Sequence, residues 1–286
     1  MNNNSTTAEC CPVCGNLELL TSPAILMPFV ADRLFGWKPV TVDETWGLHS
    51  IHAGTAYSIC NSAGCAECDF IFMDIRPKKN DMQRLYRNYR DDVYTELRES
   101  YEPGYAERNE SLLDGYEYIA KIEDYIVSQS GKPNSILDWG GDTGKNTPFK
   151  DSKIPIYLYD ISGKASYESA SSISEASDNF ELLVCSQVLE HVSDPVEELR
   201  SMANMVPSGG HLYFDVPFEK LMQSESSVLD RIKLKRHWHE HINFFSQNSF
   251  ARLAEVAGFK IVHQQILDNS STKIGGKILQ LICQKK

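Results

Sequence analysis

The greatest density of side chains able to carry protons lies late in the chain, where His237-Trp238-His239-Glu240-His241-Ile242-Asn243-Phe244-Phe245-Ser246 holds four titratable groups within five residues. In an extended backbone His237, His239 and His241 share one face and Glu240 takes the other. That pattern suits acid–base chemistry, because imidazole titrates near neutrality and a neighbouring carboxylate can orient it. The competing readings are hydrogen bonding to nearby backbone and a catalytic metal, although no H-E-x-x-H spacing is present. Upstream, Leu189-Glu190-His191-Val192 adds His191 at a predicted helix start, a second candidate base whose plainer alternative is to cap or pack.

A different chemistry is written near the N-terminus. Cys11-Pro12-Val13-Cys14 and Cys65-Ala66-Glu67-Cys68 are two knuckles at the spacing by which adjacent thiolates reach one tetrahedral zinc. About fifty residues separate them, a tolerable insertion because loop-closure entropy grows only logarithmically with length. Four thiolates fill the coordination sphere, so a zinc held by Cys11, Cys14, Cys65 and Cys68 is structural. Such a site contributes on the order of 10–16 kcal/mol to folding a small module, and loss of Cys14 or Cys68 is expected to unfold the N-terminal region before it touches any chemical step. Reduced free thiols and an iron–sulfur centre are the alternatives. Cys10 and Cys60 read as bystanders, and Cys185 and Cys283, inside apolar strand-like runs, as core.

The third candidate is Asp138-Trp139-Gly140-Gly141-Asp142-Thr143-Gly144, between a predicted strand and helix. Glycines there allow a tight turn and close approach of a ligand to the backbone. About twenty residues on, Tyr159-Asp160 ends a second strand where a carboxylate can accept both hydroxyls of a ribose. Alone, this pattern would equally fit a nicotinamide-dinucleotide site or a structural turn.

The elements that must position these groups fall into three zones: a zinc-binding module over 1–78, a helical linker or lid over 79–130, and an α/β domain over 131–286. In the first, Ala56 to Cys60 and Phe70 to Met73 are strand-like. In the second, Leu85, Tyr89, Val93 and Leu97 recur at helical spacing, as do Leu112, Tyr116, Ile119, Ile122 and Ile126. In the third, strands are expected at Ser135–Trp139, Ile156–Tyr159, Glu181–Ser186, Gly210–Val216, Phe259–Ile266 and Lys277–Gln284. Helices are expected at Pro195–Met205, capped by Asp194, and Ser246–Ala257. The last two strands should form an antiparallel hairpin through Gly275-Gly276. The 286 residues suffice for one large and one small domain, and a formal charge of −11 argues against a nucleic-acid partner, with only Lys233, Lys235 and Arg236 clustered. No leader pattern and no membrane-length apolar run is visible, which predicts a cytoplasmic protein.

Together with Val188-Leu189-Glu190-His191-Val192-Ser193-Asp194-Pro195 and Pro207-Ser208-Gly209-Gly210, the glycine loop resembles that of the class I S-adenosylmethionine-dependent methyltransferases over roughly residues 105 to 286. The resemblance implies a Rossmann-like seven-stranded sheet whose last strand is antiparallel, with the cofactor across the carboxyl ends of the first strands. By it, Asp138 precedes the loop, Gly140, Gly141 and Gly144 cradle the methionine part, Asp160 holds the ribose, and Ser186 and Gln187 flank the reactive methyl. Two departures stand out. Asp142 occupies the family's middle glycine position, and the chain from Asp160 to Phe180 is too short for a full helix, strand and loop, which leaves the adenine-contacting acid unassigned beyond a guess at Glu175.

More narrowly, the layout of two C-x-x-C knuckles, a Tyr-rich helix, the glycine loop, L-E-H-V and H-E-H-I-x-x-F-S resembles zinc-module methyltransferases acting on sugars. That likeness spans almost the whole chain. It implies that His191, Glu240 and His241 line the acceptor pocket, that acceptors are nucleotide-linked or glycan sugars in carbohydrate biosynthesis, and that Tyr86, Tyr89 and Tyr105 close over the site unless, as for Tyr89 especially, they form a buried helical stripe. The rival functions are a nicotinamide-dependent sugar-modifying enzyme and a non-catalytic zinc-ribbon binding protein.

Overall fold

The computed structural model describes residues 6–46, 54–107, 109, 117–161, 170–172, 180–271 and 275–286. Two sheets dominate these residues. The smaller draws on β2 (Leu19–Leu26), β5 (Ser58–Cys65) and β6 (Phe70–Met73), which pair antiparallel. Short strands β1 (Thr6–Thr7) and β7 (Ile75–Arg76) pair beside it, as do β3 (Val40–Val42) and β4 (Gly54–Ala56). Helix α1 (Pro28–Phe35) opens with a proline, whose missing N–H is no loss at a helix start, and ends on Gly36 in the left-handed region at φ 71°.

The linker contains α2 (Lys79–Tyr86), α3 (Asp92–Tyr101) and α4 (Ile119–Ser130). The Leu85-to-Leu97 periodicity predicts one helix, but the chain breaks there. Asn88 and Arg90 take left-handed φ of 58° and 61°, and the Asp91 side chain accepts the Tyr94 amide at 2.7 Å to start a new helix. Of the second periodic row, Leu112 and Tyr116 lie outside the described residues.

The larger sheet contains β8 (Ile136–Trp139), β9 (Ile156–Tyr159), β10 (Ala170–Ser172), β11 (Leu182–Ser186), β12 (His211–Pro217), β15 (Phe259–Asp268) and β16 (Lys277–Lys285). Its order is β10-β9-β8-β11-β12-β16-β15, seven strands, parallel from β10 through β12 and antiparallel on both sides of β16. The expected α/β seven-stranded arrangement and C-terminal hairpin are therefore present. A three-residue β10 lies in the stretch expected to be too short for a full helix, strand and loop together, whereas Glu175 lies outside the described residues. Helix α5 (Pro195–Ala203) follows its expected cap, with Asp194 accepting the Glu197 amide, and α7 (Gln247–Val256) begins one residue later than expected, with Ser246 as its cap in a capping box with Ser249.

One connection was not foreseen. After α6 (Val228–Leu234), β13 (His237–Trp238) and β14 (Asn243–Phe244) do not join the larger sheet but form opposite edges of the smaller one, in the order β13-β2-β5-β6-β14. Residues 239–242 thus cross one end of that sheet. Five Cα steps reach about 18 Å at most, while four strand spacings amount to about 19 Å, so the sheet must curl for the crossing to close. A shared core runs from Cys65, Phe70 and Phe72 through Leu189 to Phe245 and Phe250, joining the two sheets. Among the described residues no helix is long and apolar enough to cross a membrane.

Candidate functional site

A cavity of about 840 Å³ opens at the carboxyl ends of β8, β9 and β11, between the larger sheet, the 239–242 crossing and the α2–α3 turn. It lies where open α/β sheets bind ligands. Asp138, Gly140, Gly141, Asp160, Ser186, Gln187, His191, Glu240 and His241 all line it. Gly144 does not. It closes the turn behind, at φ 76°, donating its amide to Gly141 at 2.7 Å.

On the glycine-loop side, Gly140 adopts φ 85°, and a Cβ there would meet Val188 Cγ2 at 2.3 Å. Asp142 has φ 50°, so it serves in a glycine's place in a conformation that Asp tolerates better than most residues. Its amide donates to Asp160 Oδ2 at 3.0 Å, and its carboxylate lies 3.6 Å from Arg90. The second carboxylate therefore faces a cation of the linker. Buried Asp138 receives the Thr147 hydroxyl, and burial, with Asp160 and Asp215 adding to it, pushes its carboxyl up to about 7.

Ser186 and Gln187 are held by Asp215, a residue in none of the recognised motifs. Asp215 accepts from the Ser186 hydroxyl at 2.9 Å, from Gln187 Nε2 at 2.7 Å and from the Tyr213 hydroxyl. Its signal was faint, since an acid at the end of a predicted strand two residues before a proline has many readings. The glycine loop, the Asp160 carboxylate and the Ser186-Gln187 turn fit an adenosyl cofactor, with room left for an acceptor within the size range of ligand pockets.

The opposite side of the cavity is built by the crossing. The Ile242 and Asn243 amides both donate to the Glu190 carbonyl, at 2.8 and 3.0 Å, tying L-E-H-V to H-E-H-I. Buried Arg76 clamps the same junction, donating to Ser193 O at 2.7 Å, Val192 O at 3.0 Å and Asn243 Oδ1 at 2.8 Å. The expectation of one extended strand with three histidines on a face is corrected here, because the backbone leaves β13 after Trp238 to cross the sheet. His237 is exposed, His239 turns to Glu102 and Glu240, and only His241 joins His191 in the cavity, with ring centroids 4.7 Å apart.

His191 Nδ1 lies 2.8 Å from the Tyr86 hydroxyl and 3.0 Å from the Glu240 carbonyl. A carbonyl only accepts, so this contact places the ring hydrogen on Nδ1 and leaves Nε2 with the lone pair. Burial, with the neighbouring His241 adding to it, pushes the His191 imidazole down to about 3. His241 shifts the other way. Burial opposes its charge, but Glu219, at 3.1 Å from Nδ1, and the nearby Glu190 and Glu240 carboxylates raise it. Glu240, expected to orient an imidazole, is turned to Arg98 at 2.9 Å and to His239 at 3.2 Å. Burial favours its neutral form, but those two cations overcome it and hold the carboxyl well below its usual range. Tyr86 and Tyr89 line the cavity, whereas Tyr105 is buried under the Arg98 guanidinium.

The four knuckle cysteines stand apart from this cavity, their sulfurs within 4.8 Å of one another. Cys11 and Cys68 are 3.6 Å apart and Cys14 and Cys65 3.5 Å. A tetrahedron with metal–sulfur bonds of 2.3 Å has edges of about 3.8 Å, so the cluster is compatible with zinc. Cys10 and Cys60 lie outside the group.

A family model described as a methyltransferase domain matches residues 105–264. Among curated relatives, the ubiquinone biosynthesis O-methyltransferase of Aeromonas salmonicida is 28% identical over 105 residues, 34% of this chain and 44% of that protein. That of Nitrosospira multiformis is 25% identical over 156 residues, 52% of this chain and 63% of that protein. The chain spans about half the length of these relatives. Among solved structures, the 1,6-didemethyltoxoflavin-N1-methyltransferase of Burkholderia thailandensis, with bound 1,6-didemethyltoxoflavin and S-adenosylhomocysteine, has a TM-score of 0.47 and 16% identity, covering 66% of this chain and 87% of that one. With over half of its residues inside the family match, this chain belongs to the methyltransferase-domain family.

Proposed function

We propose that the protein methylates an oxygen or carbon of a small polar acceptor, a nucleotide-linked or glycan-precursor sugar, in the cytoplasm, with a structural zinc on Cys11, Cys14, Cys65 and Cys68. The observation that carries this reading is the Glu219–His241 dyad opening into the same cavity as the glycine loop. S-adenosylmethionine supplies an electrophilic methyl group with a good leaving group already in place. What the chain adds is alignment and a base. Gly140 and Gly141 let the backbone approach the cofactor, Asp160 receives its ribose hydroxyls, and Asp215 fixes Ser186 and Gln187 beside the reacting centre. His241, oriented by Glu219, takes the acceptor proton, and Tyr86 and the Glu240 carbonyl fix the ring of His191 against the acceptor. Glu240 acts as a positioning residue through Arg98 and His239. Positioning contributes several kcal/mol and a base near neutrality about 10²–10⁴-fold.

O-methylation in ubiquinone biosynthesis, the named activity of the curated relatives, is the second reading, and phenols serve as its probe acceptors. Calorimetric titration with S-adenosylhomocysteine, with NAD as control, comes first. Micromolar binding of the former alone supports the reading, and no binding in folded, zinc-loaded protein refutes it. Turnover with nucleotide sugars in hydroxyl and keto forms, against phenols, then separates the two acceptor classes.

A further inference from the structure

Glu190 is 2% exposed, lines the cavity, and neither of its carboxyl oxygens has a hydrogen-bond partner in another residue among those described. Its carbonyl is engaged, holding the Ile242 and Asn243 amides. The side chain ties nothing together. His191 Nε2 lies 3.6 Å from Oε1, beyond hydrogen-bond range. Asp215 and Glu219 add like charge to its surroundings, and only His241 and its own amide favour ionisation. An isolated buried carboxyl is costly when charged and still costly when neutral and unpaired. A fold gains nothing from such a group until something enters the cavity to meet it.

Two oxygens on one planar carboxyl match two polar groups on neighbouring atoms, the geometry by which an acid receives a ribose diol. His241 and His191, with Glu190, bring their ligating atoms within 4.8 Å of one another. An acceptor oxygen at His241 therefore has its neighbouring oxygen within reach of Glu190. We propose that Glu190 is an acceptor-binding residue that selects substrates carrying a second oxygen on the carbon adjacent to the methylated position, a vicinal diol or hydroxy ketone. This inference rests on the methyl-transfer reading and narrows its substrate class. Catechols and sugars share the required chemistry.

The test uses the zinc-loaded full chain in complex with S-adenosylhomocysteine, titrated with catechol against phenol and with UDP-glucose against its 2-deoxy analogue. Wild type should prefer the two-oxygen member of one pair by about tenfold or more, and which pair shows the preference identifies the aromatic or sugar source. Glu190→Leu should abolish that preference, leave S-adenosylhomocysteine affinity within about twofold, and equal or exceed wild type in urea stability, because it removes an unpaired buried acid. Glu190→Gln, close to isosteric, should reduce the preference and guards against misfolding of the leucine variant. Absence of a preference in both pairs, or its survival in the variants, overturns the proposal. So does a preference that EDTA removes and Mn²⁺ restores in wild type, which would make Glu190 a cation ligand. Failure of wild type to bind S-adenosylhomocysteine would instead overturn the methyl-transfer reading itself.

Discussion

Arg98 of the linker and Glu240 of the crossing form an ion pair at 2.9 Å, with side chains 8% and 15% exposed. The pair fastens the linker to the crossing. Removing one partner of a buried pair strands the other, at a cost of about 3–5 kcal/mol. Arg98→Met should lower urea stability by about 3 kcal/mol, and Arg98→Met with Glu240→Leu should recover much of it. Additive losses in the double variant would show that the two residues act separately.

The dyad predicts where catalysis resides. Alanine at both His191 and His241 should lower kcat by about 10²–10⁴-fold with S-adenosylhomocysteine affinity retained, and Glu219→Gln should lower kcat about tenfold by releasing the His241 ring. Turnover within a few-fold of wild type in the double alanine variant would place the base elsewhere.

Zinc loss should reach the acceptor. The knuckles hold β5 and β6, on whose sheet β13 and β14 rest, so the module cannot unfold while the crossing keeps its shape. Cys14→Ser or Cys68→Ser should therefore abolish turnover yet leave S-adenosylhomocysteine binding within a few-fold, in contrast to the expectation that methyl transfer is spared. Metal analysis paired with calorimetry checks this, and full turnover in a metal-free variant contradicts it.

Asp138 makes a signed prediction about pH. Its folded value, about 7, lies above the 3.8 of an ordinary aspartate. The native state therefore binds the extra proton, and stability declines as pH rises from about 4 to about 7, then levels. Between pH 5 and 8 the wild type should lose about 2 kcal/mol more than Asp138→Asn in urea unfolding. Parallel pH profiles for the two proteins would show that Asp138 does not titrate in this range.

Much of this was legible. Strand–helix alternation from residue 134 onward, the cap at Asp194, the helix starting near Ser246 and the glycine loop are local signals, and each appears within a few residues of its expected place. What escaped was non-local. His237-Trp238 reads as a short polar strand whichever sheet accepts it, and only the packing of Trp238 against Phe244 in the smaller sheet's core decides the matter. Glu219 and Asp215 escaped because a lone acid has no period. The helix break at Asn88 escaped because the apolar row continues past it, while the cap at Asp91 overrides the row.

The crossing of residues 239–242 has a mechanical consequence. A span this short, anchored at both margins of a curled surface, behaves like a bowstring: its tension is set by the curvature of the bow. Anything that flattens the cysteine-bearing sheet pulls on Glu240 and His241 while the dinucleotide-style turn beneath them stays slack. The glycine loop and the residues of the crossing thus rest on different sheets.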